Sequence, residues 1–206
     1  MNESPSIVAL YKRLNLLLGI TGSVAAIRFE EILENFYKLN KFNIKVIITE
    51  KGKIFLEKLI KDYKEIEKKY SCEIYFDNDE FELYKKDENR ILHIELRKWA
   101  DLILLSPLSA NTLAKITNGI CDNLLTSVIR AWDFKKKGFF CLAMNTLMYD
   151  HFITQKQVNI LVNEFKFIQI PSVCKKLKCG DIGMGGIADT KDIVKIVCEN
   201  LNLKIE

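Results

Sequence analysis

The 206 residues contain no long apolar run, no short basic cluster interleaved with aromatics and no metal-type spacing of cysteine and histidine. Each absence removes a class of protein. No stretch approaches the length needed to cross a bilayer, so a membrane span is not expected. The opening MNESPSIVALYKR lacks the charged start and apolar core of a secretory leader, which points to the cytoplasm. No two of the six cysteines form a C-x-x-C pair, and the two histidines, His93 and His151, stand far from any metal-type spacing. A structural zinc site is therefore not expected, and no metal is predicted. A disulfide framework is equally unexpected in a chain of this length without a leader. Cys72, Cys121, Cys141, Cys174 and Cys198 are read as small packing groups. The net charge of +4 comes from dispersed lysines, with no basic run interleaved with aromatics, so nucleic acid is not an expected partner. No repeat or low-complexity linker divides the chain, and a 49% apolar content is ample for one core. One domain over 1–206 is predicted, with a short tail at 1–13.

What is present is an alternation of apolar runs and amphipathic stretches. Residues 14–20 read as a buried strand and 24–39 as a helix, with Thr21, Gly22 and Ser23 between them. Strand, Gly/Ser turn and helix open a βαβ unit. Such a turn, with its backbone N–H groups and the helix N-terminus, suits an anion such as a phosphate; a plain tight turn reads equally well. It is neither G-x-G-x-x-G nor a Walker loop, so a dinucleotide site is poorly supported there. A second strand over 43–49 ends in the hydroxyl of Thr49. A charged helix is expected over 53–69, whose part 61–69 has a solvated face, little to bury and the look of an insertion. A short strand at 72–76 and an acidic surface loop at 77–89 follow. A helix over 91–100 carries His93 and Arg97 on one face. A buried strand over 101–106 is expected to break at Pro107 into a polar turn, where Ser109 or Asn111 caps a helix reaching about 118. A helix over 122–132, a strand over 138–144 ending at Asn145, a helix over 158–165, a strand over 167–170 and a last helix over 190–201 complete the pattern. Alternation of this kind predicts an α/β three-layer sandwich with a central parallel sheet, flavodoxin-like or Rossmann-like. Its carboxyl edge would gather Gly22, Ser23, Thr49, Ser109, Ala110, Asn111, Thr112 and Asn145.

The stretch 177–186 holds four of the nine glycines and the remaining cysteine, Cys179. Glycine loses the most backbone freedom on ordering, so this run reads as a mobile loop carrying one thiol. It is either a lid over a site or a flexible connector.

The segments GITGSVAAI (19–27), HIELRKWADLILLSPLSANTLAKITNGICDNLLTSVIRAWD (93–133), AMNTLM (143–148) and LKCGDIGMGGIAD (177–189) together resemble the homo-oligomeric flavin-containing cysteine decarboxylases, and among them the phosphopantothenoylcysteine decarboxylases. The resemblance implies a flavodoxin-like fold, FMN as cofactor, a small-molecule substrate and a homotrimer with sites between subunits. It implies that Gly22, Ser23 and Val24 hold the FMN phosphate, that Thr49 and Phe55 flank the cofactor, and that Ser109, Ala110, Asn111 and Thr112 contact the flavin. It makes His93 the base, Asn145 with Met144 the substrate-recognition motif, Arg97 a further substrate contact, and Cys179 the proton donor on a substrate lid at 174–189. Leu142, Tyr149, Lys98 and Ile187 depart from the family pattern. Lysine at position 98 keeps the charge but loses the planar fork of arginine. The implied reaction converts 4′-phospho-N-pantothenoylcysteine to 4′-phosphopantetheine, a step of coenzyme A biosynthesis, and the flavin supplies the electron sink that an ordinary cysteine carboxylate lacks. The alternative is a regulatory relative, a phosphatase inhibitor or a non-catalytic subunit of a mixed trimer. The joint presence of His93, Asn145 and Cys179 favours the enzyme.

Overall fold

The structure, a computed structural model, describes residues 13–178 and 180–204. Cys179, and all of the 1–13 tail except Arg13, lie outside the described residues. A parallel strand covered on both faces needs apolar residues at successive positions rather than alternate ones. Leu14–Ile20 meets that demand and forms β1, buried from Leu16 onward. A 3-10 segment, Val24–Arg28, then leads into α1 (Phe29–Lys38). The single helix expected over 24–39 is thus two geometries. The Ser23 side chain accepts from Ala25 N at 3.3 Å and starts a tight first turn, the usual place for 3-10 geometry.

Next come β2 (Phe42–Ile48), α2 (Glu50–Leu56) and α3 (Tyr63–Tyr70). One helix over 53–69 does not form. The Asp62 carboxylate accepts from Lys64 N at 2.8 Å and caps a new start. The lysine-rich piece also has an apolar side: Ile66 and Tyr70 are buried, and the Tyr70 hydroxyl donates to Glu30 of α1 at 2.9 Å. β3 (Cys72–Phe76) precedes α4 (Asp79–Lys86) and α5 (Leu92–Trp99). The loop expected at 77–89 therefore contains a helix. No residue of α4 is fully buried, so it shows no apolar stripe, but its acidic first turn and basic last turn match the helix dipole.

β4 (Leu102–Leu108) runs straight through Pro107 instead of breaking there. Its pairing with β5 (Lys137–Leu142) shifts register between Leu105 and Leu108, so the missing N–H falls at an irregularity in the ladder. Between them lie α6 (Ala110–Thr117), capped by Ser109, and α7 (Leu124–Arg130), capped by Asn123. After β5 come α8 (Thr146–Asp150) and α9 (Phe152–Asn163). The helix expected over 158–165 begins earlier because His151 Nδ1 accepts from Ile153 N at 3.2 Å. β6 (Ile168–Ile170), the hairpin strands β7 (Val173–Lys176) and β8 (Ile182–Gly186), and α10 (Thr190–Asn200) end the described chain.

Six parallel strands form one sheet in the order β3-β2-β1-β4-β5-β6, while β7 and β8 pair apart from it. This is the doubly wound, Rossmann-like order. One face is filled by α1, α3 and α10 through Phe29, Phe36, Ile66, Ile193 and Val197. The other is filled by α5, α6, α7 and α9 through Leu96, Leu113, Leu125, Ile129 and Leu161.

Packing in the second face is tight enough to test. A Cβ at Gly138 would lie 2.5–2.6 Å from ring atoms of Phe167, which is fully enclosed and has nowhere to move. Gly138→Ala is expected to cost about 1–3 kcal/mol, read as a lower urea midpoint with an unchanged slope.

Candidate functional site

Strand order reverses between β1 and β4, and the crevice at such a switch point is where open α/β sheets take ligands. Here the crevice is built by hydroxyls. Thr21 is fully buried at the end of β1. Its Oγ1 donates to Pro107 O at 2.8 Å and accepts from Ser109 N at 2.8 Å, while its own N–H donates to Pro107 O at 3.3 Å. Ser23 Oγ donates to Ala143 O at 2.9 Å, beyond the end of β5. Two short side chains thus join the turns after β1, β4 and β5. Ser109 Oγ accepts from Thr112 N at 3.2 Å and starts α6. Thr49 Oγ1 donates to Ile20 O at 3.3 Å and accepts from Gly52 N at 3.2 Å, fixing α2 beside β1.

Above these turns lies a cleft of about 520 Å³, a size typical of small-molecule sites. Of the residues singled out from the sequence, Gly22, Ser23, Val24, Phe55, Ser109, Ala110, Asn111, Met144 and Asn145 line it. Thr49, Thr112, His93 and Arg97 do not. The hydroxyl groups of Thr49 and Thr112 are buried in the caps beneath the cleft. Cys179 lies outside the described residues. The cleft also recruits residues the sequence reading passed over: Met148, Arg28, Lys175, Lys176 and Lys178. The signal was there in three lysines flanking Cys179 in the sequence. The described lining contains these four cations and no carboxylate. Burial, and then the nearby Arg28, pull the Lys175 ammonium below its ordinary range. Val24, Ile27, Phe55, Met144 and Met148 give the rest an apolar character. Such a lining suits a flat apolar ring system with an anionic end.

The second half of the glycine-rich stretch is not loop: β8 pairs with β7 as a hairpin, and the described residues before it, 177–178 and 180–181, lie in the connection. Its glycines answer close approach more than mobility. A Cβ at Gly183 would lie 2.6 Å from Thr146 Cγ2, and one at Gly186 would lie 2.5 Å from Lys175 Cε. Gly185 has φ +109° and rests against the Met144 carbonyl. Met144 N donates to Gly185 O at 2.9 Å, and Asn145 Nδ2 donates to Asp181 Oδ2 at 2.6 Å, so the hairpin is seated on the 144–145 turn. Gly180 has φ +97°, and a Cβ added there would meet no atom within 4 Å. It is the position where left-handed backbone itself asks for glycine.

His93 and Arg97 share α5, away from this cleft within the chain. His93 Nδ1 lies 2.7 Å from Glu80 Oε1, and its backbone N–H donates to Glu80 Oε2 at 3.0 Å. Arg97 Nε is buried with no hydrogen-bond partner among the described residues. His151 is an exposed helix cap, and Trp132 is core. The packing expectation holds for Cys72, Cys141 and Cys198, and burial pushes the first two thiols up to about 12 and about 11. Cys121 and Cys174 are instead exposed. Cys121 falls between α6 and α7, and Cys174 lies on a hairpin outside the main sheet. No group of three or more metal-binding side chains occurs among the described residues, and none of their helices is long and apolar enough to cross a membrane.

The profile of the flavoprotein family matches residues 8–202. A phosphopantothenoylcysteine decarboxylase from Mus musculus is 43% identical over 183 residues, covering 89% of this chain and 85% of its own. A solved cysteine-to-serine mutant of PPC decarboxylase, complexed with pantothenoylaminoethenethiol, aligns with a TM-score of 0.82 at 36% identity, over 93% of this chain and 100% of the other. The FMN binding protein AtHal3 aligns with a TM-score of 0.79 at 36% identity, over 95% and 100%.

The crevice depends on Thr21 by this geometry. Thr21→Val removes the acceptor for Ser109 N and one donor to Pro107 O, leaving buried polar groups short of partners. A loss of about 1–3 kcal/mol in unfolding free energy is expected, and Thr21→Ser is expected to recover most of it in the same denaturant titration.

Proposed function

This chain belongs to the flavoprotein family, among its phosphopantothenoylcysteine decarboxylases, and from that premise we propose that it decarboxylates 4′-phospho-N-pantothenoylcysteine to 4′-phosphopantetheine with FMN as cofactor. The observation that carries the reading is the cleft at the switch point, whose described lining has four cations and no carboxylate and whose floor is the turns after β1 and β4. Those residues fit the flavin. Gly22, Ser23 and Val24 would border its phosphate, with the backbone N–H groups of Gly22 and Val24 turned to it, since Ser23 N already donates to Thr21 O at 2.8 Å and the Ser23 hydroxyl proton is given to Ala143 O. Phe55, Ser109, Ala110 and Asn111 would border its ring, while Thr49 and Thr112 shape the turns from below. Bound there, FMN would supply a reversible two-electron acceptor, which gives the departing carboxylate's electrons a place to go with no net oxidation.

The protein's share is to bind, orient and move protons. His93 takes the thiol proton, as a neutral imidazole can near neutral pH. Asn145, whose amide grips the Asp181 carboxylate, holds the substrate carboxylate without adding a charge that would resist loss of CO₂. Met144 lines the same wall, and Arg97 serves as a further substrate contact. Cys179 delivers a proton to the carbon that has lost CO₂; an ordinary thiol, with a pKa of about 8.5, carries that proton at pH 7. The hairpin 173–186 excludes water, and Lys175, Lys176 and Lys178 suit the anionic ends of substrate and cofactor.

The working unit is a cytoplasmic homotrimer. Exposed free thiols at Cys121 and Cys174 suit a reducing compartment. The position of His93 and Arg97 off the cleft of their own chain, with Arg97 Nε buried and without a partner among the described residues, supports a site completed by a neighbouring copy.

Incubated with the substrate under anaerobic conditions, the yellow protein is expected to release CO₂ and to recover its flavin absorbance. A flavin-loaded protein that leaves the substrate untouched would overturn the reading. His93→Asn and Asn145→Asp are each expected to abolish CO₂ release while keeping flavin. Mixed and reassembled, the two variants are expected to regain a measurable fraction of activity; none regained would place both residues in one subunit's site.

A further inference from the structure

We propose that Glu80 is a positioning residue for this reaction: it holds the His93 ring in the tautomer whose Nε2 carries the lone pair that accepts the substrate proton. The proposal rests on the reading of His93 as the base. It comes from a segment whose composition suggested only an acidic surface loop. α4 brings Glu80 across the start of α5, where the N-cap residue Ile91 offers no side-chain cap. Each Glu80 oxygen has a separate task. Oε2 accepts from His93 N at 3.0 Å, and Oε1 lies 2.7 Å from His93 Nδ1.

A helix cap alone would use one oxygen, and a serine or asparagine would serve. The second oxygen is what points to the ring. An ionised carboxylate only accepts, so the proton between the two groups belongs to Nδ1. Neutral imidazole has one N–H, which leaves Nε2 as an acceptor. Nε2 makes no hydrogen bond among the described residues. The pair is also partly buried, with side-chain exposures of 27% for His93 and 20% for Glu80. Two anchors, one on the backbone and one on the ring, fix both the helix start and the direction of the imidazole. The carboxylate is also at hand to pair with the imidazolium once the proton has been taken, the part such partners play beside other catalytic histidines.

The chain supplies its own reference for a test. It has two histidines, and the other is held the opposite way: His151 Nδ1 accepts from Ile153 N at 3.2 Å, so its proton sits on Nε2. Nitrogen-15 spectra of the flavin-loaded protein labelled at histidine, followed to a pH at which ring signals stop moving, should show one ring of each tautomer. His93→Asn should remove the Nδ1–H set. Two rings protonated at Nε2 would overturn the proposal without any assay, even if no Glu80 variant folds. Glu80→Gln has one carbonyl oxygen for two donors. It is expected to lower kcat about tenfold or more, with KM and flavin content near wild type and the His93 signals moved toward a mixture of tautomers. A Glu80→Gln protein with wild-type kcat would overturn the proposal. So would lost activity with unchanged His93 ring signals, which would reduce Glu80 to a cap. Failure of the decarboxylase reading is distinct: the wild-type protein would then leave the substrate untouched whatever the tautomers show.

Discussion

The buried hydroxyl of Thr21 is the constraint on which the site depends. It gives one hydrogen bond to the Pro107 carbonyl and takes one from Ser109 N, both at 2.8 Å. With Ser23 reaching Ala143 O, it makes a single surface out of three loops that leave the sheet at different strands. Loops carry backbone polar groups that must find partners when buried. These hydroxyls supply them at the point where the strand order reverses, so the turns are tied together by the chain's own hydrogen bonds. The arrangement also explains a proline inside β4: Pro107 has no N–H to lose, and its carbonyl is the acceptor that Thr21 uses twice.

On the proposed reading, labour is divided by chemistry. Backbone N–H groups of Gly22 and Val24 and the cations of the hairpin wall take anionic ends, apolar side chains take the ring, and neutral Asn145 takes the carboxylate whose charge must not be over-stabilised. Proton movement is left to His93 and Cys179. The hairpin is seated on the 144–145 turn by the Met144–Gly185 and Asn145–Asp181 bonds. Lifting it would therefore break defined contacts to that turn.

The central strands were legible because burial on both faces writes itself as a nearly continuous apolar run, as in 16–20 and 102–105. The floor of the cleft was legible for the same reason: Gly22-Ser23 and Ser109–Thr112 follow such runs directly. What composition hid was structure with little to bury. α4 has no fully buried residue, so no periodicity marked it, and Glu80 went unnoticed with it. The glycines of 183–186 suggested flexibility, yet Thr146, Met144 and Lys175 stand where their side chains would be; close approach of this kind is a tertiary fact that a sequence does not carry. Pro107 misled because its tolerance depends on a register shift set by the neighbouring strand.

In the proposed function, the locked turns at the switch point form an anion cradle that takes the flavin by its phosphate. The direct measurement is the affinity of the flavin-free chain for FMN against riboflavin, which share the ring and differ in the phosphate, followed by quenching of flavin fluorescence. FMN is expected to bind at least about a hundredfold more tightly, a difference of roughly 2.7 kcal/mol, with the gap narrowing as salt is added. Equal affinities would mean that the ring alone is held, and that the turn at 22–24 is not the cofactor site.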